Sequence, residues 1–217
     1  MKANYLYLGA LLVCFASCNK KEEVKVVEKD VAVEKDSVPS ENTPAQPMDS
    51  LAMMKAWQEY ATPGEMHKML ANDTGSWDEE VTMWMSPDGK PSTSKMTAET
   101  KMILGGRYQE SRHKGTFEGM PFEGISTVAY NNASKEYNST WIDNMATGIM
   151  IMNGKYDEAT KSINFTGECV DPMTKKAKKI RQVMTIIDAN TQKMESYDIT
   201  PDGKEYKSME IKMTRKK

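Results

Sequence analysis

In Lys95-Met96-Thr97-Ala98-Glu99-Thr100-Lys101-Met102-Ile103-Leu104 the character of the chain changes at every second residue. Met96, Ala98, Thr100, Met102 and Leu104 form an apolar or small row, and Lys95, Thr97, Glu99, Lys101 and Ile103 form a largely charged one. A two-residue period belongs to a strand with one buried face. The same alternation returns in Ser208-Met209-Glu210-Ile211-Lys212-Met213. Turn chemistry recurs between such rows. Pro87-Asp88-Gly89-Lys90 reappears as Pro201-Asp202-Gly203-Lys204, while Asn131 to Lys135, Asp157 to Lys161 and Asp188 to Gln192 share a second pattern, and Asp171 to Lys175 makes a further turn.

Cutting the chain at these turns leaves about ten strands: roughly 77–86, 92–104, 107–115, 122–131, 135–143, 147–156, 162–170, 177–188, 192–200 and 204–214. Short turns between consecutive strands make an antiparallel meander. Closing it into a barrel removes both exposed sheet edges, so a mostly β barrel is expected. Asn153-Gly154 falls inside a strand and reads as a bulge, with a hairpin turn as the alternative. Upstream the period is helical. Leu51, Met53, Met54, Trp57 and Tyr60 predict a helix over 49–61 with Asp49 or Ser50 as its cap, and Met66, Met69 and Leu70 predict a turn or two of helix over 63–72.

The first seventeen residues have a different origin. Lys2 precedes an apolar run from Tyr5 to Phe15, and Phe15-Ala16-Ser17-Cys18 places small residues before a cysteine, which resembles a bacterial lipoprotein signal. The run is too short to span a bilayer, which takes roughly 20 apolar residues. On this reading 1–17 is a signal peptide and Cys18 is acylated; an ordinary secretory peptide or an uncleaved anchor is the alternative. Cys14 is a rival site, but Val13 before it is bulkier than Ser17. From 19 to 48 there is no aromatic residue, and seven acids, five lysines and three prolines form a stretch that cannot bury enough surface to order itself. The domains expected are therefore a signal peptide over 1–17, a lipidated tether over 18–48 and a folded barrel over 49–217. The expected location is the bacterial cell envelope, lipid-anchored, with the outer membrane favoured and its face open. Lys20-Lys21-Glu22-Glu23 is similar to an export signal for surface lipoproteins, but the reading preferred is ordinary charged tether. Cys169 then remains as the lone thiol, expected as a small buried apolar residue.

Several ordered motifs carry a resemblance. Gly75-Ser76-Trp77, Val81 to Pro87, Gly105-Gly106-Arg107-Tyr108, Gly119 to Gly124, Tyr130-Asn131-Asn132, Thr140-Trp141-Ile142-Asp143, Gly167-Glu168 and Asp171-Pro172 resemble the bacterial family known as domain of unknown function 1579. The resemblance covers about 63–217 and implies a lipocalin-like barrel of about ten strands with no established activity. Where that family tends to have Gly-Tyr-Asp-Asn, this chain has Ala129-Tyr130-Asn131-Asn132, so a carboxylate at the third position is in doubt. Gly75-Ser76-Trp77 also resembles the Gly-x-Trp of lipocalins, which implies that a late-strand arginine, Arg181 or Arg215, packs over Trp77 and closes the barrel.

Arg107, Glu123, Tyr130, Trp141 and Asp143 are the polar and aromatic residues inside these motifs, and Tyr137, Ser139, Trp141 and Asp143 share one strand face. They suit a pocket for a small ligand with one polar end; alternatively Arg107 and Asp143 pair and close the barrel. Binding of a small, partly apolar molecule is the expected function. A hydrolase or isomerase using Asp143, Arg107 or Glu123 is the second reading, and a structural lipoprotein with a filled barrel is the third. No catalytic motif is present: there is no nucleophile elbow, phosphate loop or dinucleotide fingerprint. Acidic pairs such as Asp78 to Glu80 read as a solvated strand face, and the run from Lys175 to Arg181 reads as a charged hairpin.

No cofactor or metal is expected. Nitrobindin-like barrels hold haem iron through a late-strand histidine, whereas His67 precedes the first strand and His113 lies in an early one. Met83-Trp84-Met85 and Met150-Ile151-Met152 are Met-x-Met pairs of the kind that bind copper, but eighteen methionines against three leucines after Cys18 make them core filling. A net charge of −2 gives no electrostatic reason to expect nucleic acid as a partner. The bilayer, through the acylated N-terminus, is the expected one.

Overall fold

The computed structural model describes residues 49–200 and 202–217. The expectations for the signal segment, Cys18, the tether and Pro201 lie outside the described residues. Among these residues two helices, α1 (Ser50–Ala61) and α2 (Glu65–Ala71), precede ten strands: β1 (Gly75–Met83), β2 (Ser92–Ile103), β3 (Tyr108–Phe117), β4 (Met120–Asn131), β5 (Glu136–Asp143), β6 (Met150–Asp157), β7 (Ser162–Val170), β8 (Ala177–Asp188), β9 (Thr191–Ile199) and β10 (Glu205–Arg215). Each strand pairs antiparallel with its neighbour in sequence, and β1 pairs with β10 to close a barrel.

The two-residue alternation of 95–104 is the inside–outside pattern of the wall. Met96, Ala98 and Thr100 are buried, as are Trp77, Glu79 and Val81 on the adjoining strand, while Asp78 and Glu80 are exposed. The register Trp77↔Ala98 and Trp77↔Arg215 aligns the inner rows of three strands. Strand direction alternates, so β1 starts and β10 ends at one end, the base, where α2 lies. The connections after β1, β3, β5, β7 and β9 gather at the other end, the mouth.

The base is a plug of apolar contacts and well-paired polar groups. Leu70 of α2 packs with Tyr137, Met152, Ile163 and Phe165. Trp77 donates its indole N–H to the Asp73 carbonyl at 2.9 Å, and the Gln109 amide donates to the Leu70 carbonyl at 2.7 Å. The Asp73 carboxylate accepts the side-chain amides of Gln109 and Gln192; burial pushes its pKa up, and these donors pull it back. Arg215 covers the Trp77 ring at 4.3 Å from the centroid. It also donates to the carbonyls of Thr74 at 2.6 Å, Asn72 at 2.7 Å and Ala189 at 3.1 Å. Arg181 has another place. It lies over Tyr197 and pairs with Glu205, on strands whose inward neighbours are Gln182 and Ser196.

The repeated turn pattern is a side-chain cap followed by a left-handed lysine. Asn131, Asp157 and Asp171 each accept the backbone N–H two residues on, at 2.8, 2.9 and 2.8 Å. Their turns end on Lys135, Lys161 and Lys175, with φ of 57°, 50° and 58°. Asn131 thus has a turn-forming task that needs no carboxylate. Its neighbour Asn132 donates to the carbonyls of Glu59, Tyr60 and Thr62, which tie down the end of α1. α1 buries none of its own residues.

Asn153-Gly154 is neither a bulge nor a turn. Gly154 pairs in regular register with Tyr137 and Phe165, and a Cβ there would stand 2.6 Å from the Asn164 carbonyl oxygen and 2.8 Å from the Phe165 ring. Glycine serves close packing here. The register shifts occur instead between Lys207 and Met209 and between Ile186 and Asp188.

Candidate functional site

Above the plug the barrel is hollow. A cavity of about 400 Å³ occupies the half nearer the mouth, so the barrel is not filled by its own side chains. Eight methionines, Met83, Met96, Met145, Met150, Met184, Met194, Met209 and Met213, dominate its wall. The composition is thereby explained in part. A flexible thioether fits an uneven surface better than a branched side chain does. The two Met-x-Met pairs divide rather than act together: Met83 lines the cavity but Met85 is 83% exposed, and Met150 lines it while Met152 belongs to the base core.

The floor of the cavity is polar. Glu79, 3% exposed, stands beside His113, whose Nδ1 donates to the carboxylate at 3.1 Å from each oxygen. Both residues also border a void of about 90 Å³ beneath, next to the plug, so the pair forms the partition between the two spaces. The far nitrogen of the ring, Nε2, faces Ser126 Oγ at 3.5 Å. Carboxylate, imidazole and hydroxyl thus follow one another in the order used for nucleophilic catalysis. The second requirement is unmet. β4 is paired on both edges, with Ser126 opposite Ser111 and Trp141, so its amides are committed to the ladder and offer no donor pair to an oxyanion.

The mouth is aromatic and acidic. Trp141 lies against Gly124, where a Cβ would come 2.5 Å from the indole; only glycine leaves room for the ring in this position. Phe122 stacks on Trp141 at 6.2 Å, and His113 meets it edge-on at 5.1 Å. Trp141 Nε1 donates to Asp143 Oδ2 at 2.6 Å, and the Met145 amide donates to Oδ1 at 2.8 Å. Met145 is 46% exposed at the rim.

Of the five residues expected in the pocket, Trp141 and Asp143 line the cavity and three do not. Arg107 is exposed in the β2–β3 turn at the base, donating to the Leu104 carbonyl at 3.2 Å, so it and Asp143 occupy opposite ends and cannot pair. Glu123 points outward from β4 toward Lys114, at 3.5 Å with both side chains about two-thirds exposed. Tyr130 points inward, but into the base, against Tyr137 at 4.9 Å and the His67 ring at 5.8 Å. His67 caps α2 by accepting the Gly64 N–H at 3.0 Å; burial holds its pKa below the ordinary value, and the charge of Arg107 lowers it further. Cys169 is half-buried rather than buried, and burial pushes its thiol pKa up, away from nucleophilic use. Among the described residues no three His, Cys, Asp or Glu side chains are grouped to hold a metal ion.

Glu79 and His113 are the site residues that sequence reasoning missed. Glu79 sits inside Asp78-Glu79-Glu80 and looks like part of a solvated run, yet Trp77, Glu79 and Val81 share parity. An acid in that row is buried and requires a partner.

Fold and cavity together define a closed, ten-stranded antiparallel barrel with a hollow mouth half. The chain belongs to the family described as Protein of unknown function (DUF1579), whose model matches residues 62–215. No curated protein matches it. Among solved structures it is similar to Rv2717c from M. tuberculosis, at 11% identity and a TM-score of 0.53, over 72% of this chain and 100% of that one, a likeness of fold. A redesigned beta barrel, b11L5F_LGL, matches at 14% identity and a TM-score of 0.36, over 68% of this chain and 95% of that one.

Proposed function

We propose that this protein is a lipid-anchored protein of the bacterial envelope whose barrel binds a small, partly apolar molecule. The observation that carries the reading is the cavity of about 400 Å³, walled mainly by thioethers and aromatic rings, with few polar groups in its lining. Few polar groups in a concave apolar wall are the usual make-up of a small-molecule site. Protein purified under native conditions is expected to carry a small molecule that native mass spectrometry registers as added mass and that organic extraction releases. A clean apo mass, with no apolar probe taken up at high concentration, would defeat the reading.

The location rests on the N-terminal sequence. The apolar run to Phe15 and the small residues before Cys18 support cleavage there and acylation of the cysteine, with the bilayer as partner and the outer membrane as address. Cys18→Ala is expected to abolish incorporation of labelled fatty acid and to release the protein from the membrane fraction. Undiminished labelling would remove the anchor from Cys18.

A further inference from the structure

The cavity contains two acids, and only one of them has a basic partner in it. Glu79 is matched by His113, among the described residues the only basic side chain in the lining, where no described lysine or arginine stands. Asp143 meets neutral donors instead, the Trp141 indole and the Met145 amide. We propose that the ligand carries an amine or ammonium head on an apolar body, with the head held at the mouth against the free lone pairs of Asp143, beside the stacked rings of Trp141 and Phe122. This rests on the ligand-binding reading and names the class of molecule.

Each oxygen of Asp143 accepts one hydrogen bond and has lone-pair capacity left for a second donor. Trp141 turns its N–H edge to this carboxylate and stacks on Phe122, so the free lone pairs of Asp143 recognise the charge and the two rings supply the apolar surroundings of the head. Gly124, by letting the Trp141 ring lie against β4, holds indole and carboxylate at one place on the rim. Below them, the methionine wall accepts an apolar tail. A fatty carboxylate fits poorly, since its charge would lie beside Asp143 or above Glu79 with no lysine or arginine to receive it. An alcohol is neutral and should rank between the two.

The test uses the full chain carrying Cys18→Ala, so that no acyl group of its own competes, titrated with dodecylamine, dodecanol and dodecanoate below their micelle concentrations. The amine is expected to bind about tenfold more tightly than the alcohol, with dodecanoate weakest. Asp143→Asn is expected to remove the advantage of the amine over the alcohol, and continued alcohol binding certifies that this variant is folded. Dodecanoate binding as tightly as the amine, or an amine advantage that survives in Asp143→Asn, overturns the head-group assignment alone. Failure of all three probes to bind overturns the ligand-binding reading as well.

Discussion

Replacing His113 by leucine should lower the unfolding free energy by about 1 to 3 kcal/mol, the usual cost of leaving a buried polar group without its hydrogen-bond partner. Glu79 is 3% exposed, and its two oxygens share the one imidazole N–H. Without that donor the carboxylate stays in the interior, between the methionine wall and the plug, with no other described side chain hydrogen-bonded to it. The second half of the expectation concerns the pair. Changing Glu79 to methionine together with His113 to leucine removes both desolvation penalties and leaves apolar volume in their place, so the double variant should regain most or all of the lost stability. Urea unfolding of the parent, the single variant and the double variant measures this directly. A double variant no more stable than His113→Leu would show that the pair supports the wall by shape rather than by mutual compensation.

At the other end of the barrel, Arg215→Ala should cost about 3 kcal/mol and lower Tm by roughly 10 °C. The guanidinium holds three carbonyls from two segments: Asn72 and Thr74 before β1, and Ala189 in the β8–β9 turn. It also covers the Trp77 ring. One side chain therefore joins the entry of β1, the end of β10 and a turn between two other strands. Arg215→Lys should restore less than half of the loss, because a point charge on a flexible stem cannot address three acceptors in fixed directions. Calorimetric melting of both variants is the measurement; a lysine variant as stable as the parent would reduce the role of Arg215 to charge alone. Arg181→Ala makes a useful contrast, since its partner Glu205 is exposed and such pairs contribute about 0 to 1 kcal/mol.

The wall of the barrel was readable because a closed sheet buries one face along its whole length, and that burial imposes a two-residue period on every strand. β7 and β8 fall at 162–170 and 177–188, as turn spacing predicted, and the remaining strand limits move by a few residues. Asn153-Gly154 misled because a glycine signals equally a break in a strand and a tight approach by its neighbour, and only the tertiary contact with Asn164 and Phe165 distinguishes them. The site was half legible for a related reason. Trp141 and Asp143 share parity at a strand end, and parity is local information. Arg107 and Glu123 stand inside motifs, and a motif does not say whether a position lies at the base or on the outer face. The Glu79–His113 pair joins residues thirty-four apart across an intervening strand, and no local pattern announces it.

The even number of strands has an architectural consequence. The first strand begins and the last one ends beside Arg215, so both ends of the barrel chain are fastened into the plug. None of the five connections around the mouth takes part in that fastening. Rim segments can lengthen, shorten or change composition without disturbing the seam, and a fusion at either terminus of the domain leaves the entrance unobstructed. The molecule thereby separates a half that must be preserved in order to fold from a half that is free to diversify. Relatives are expected to differ most in their rims and least around Trp77.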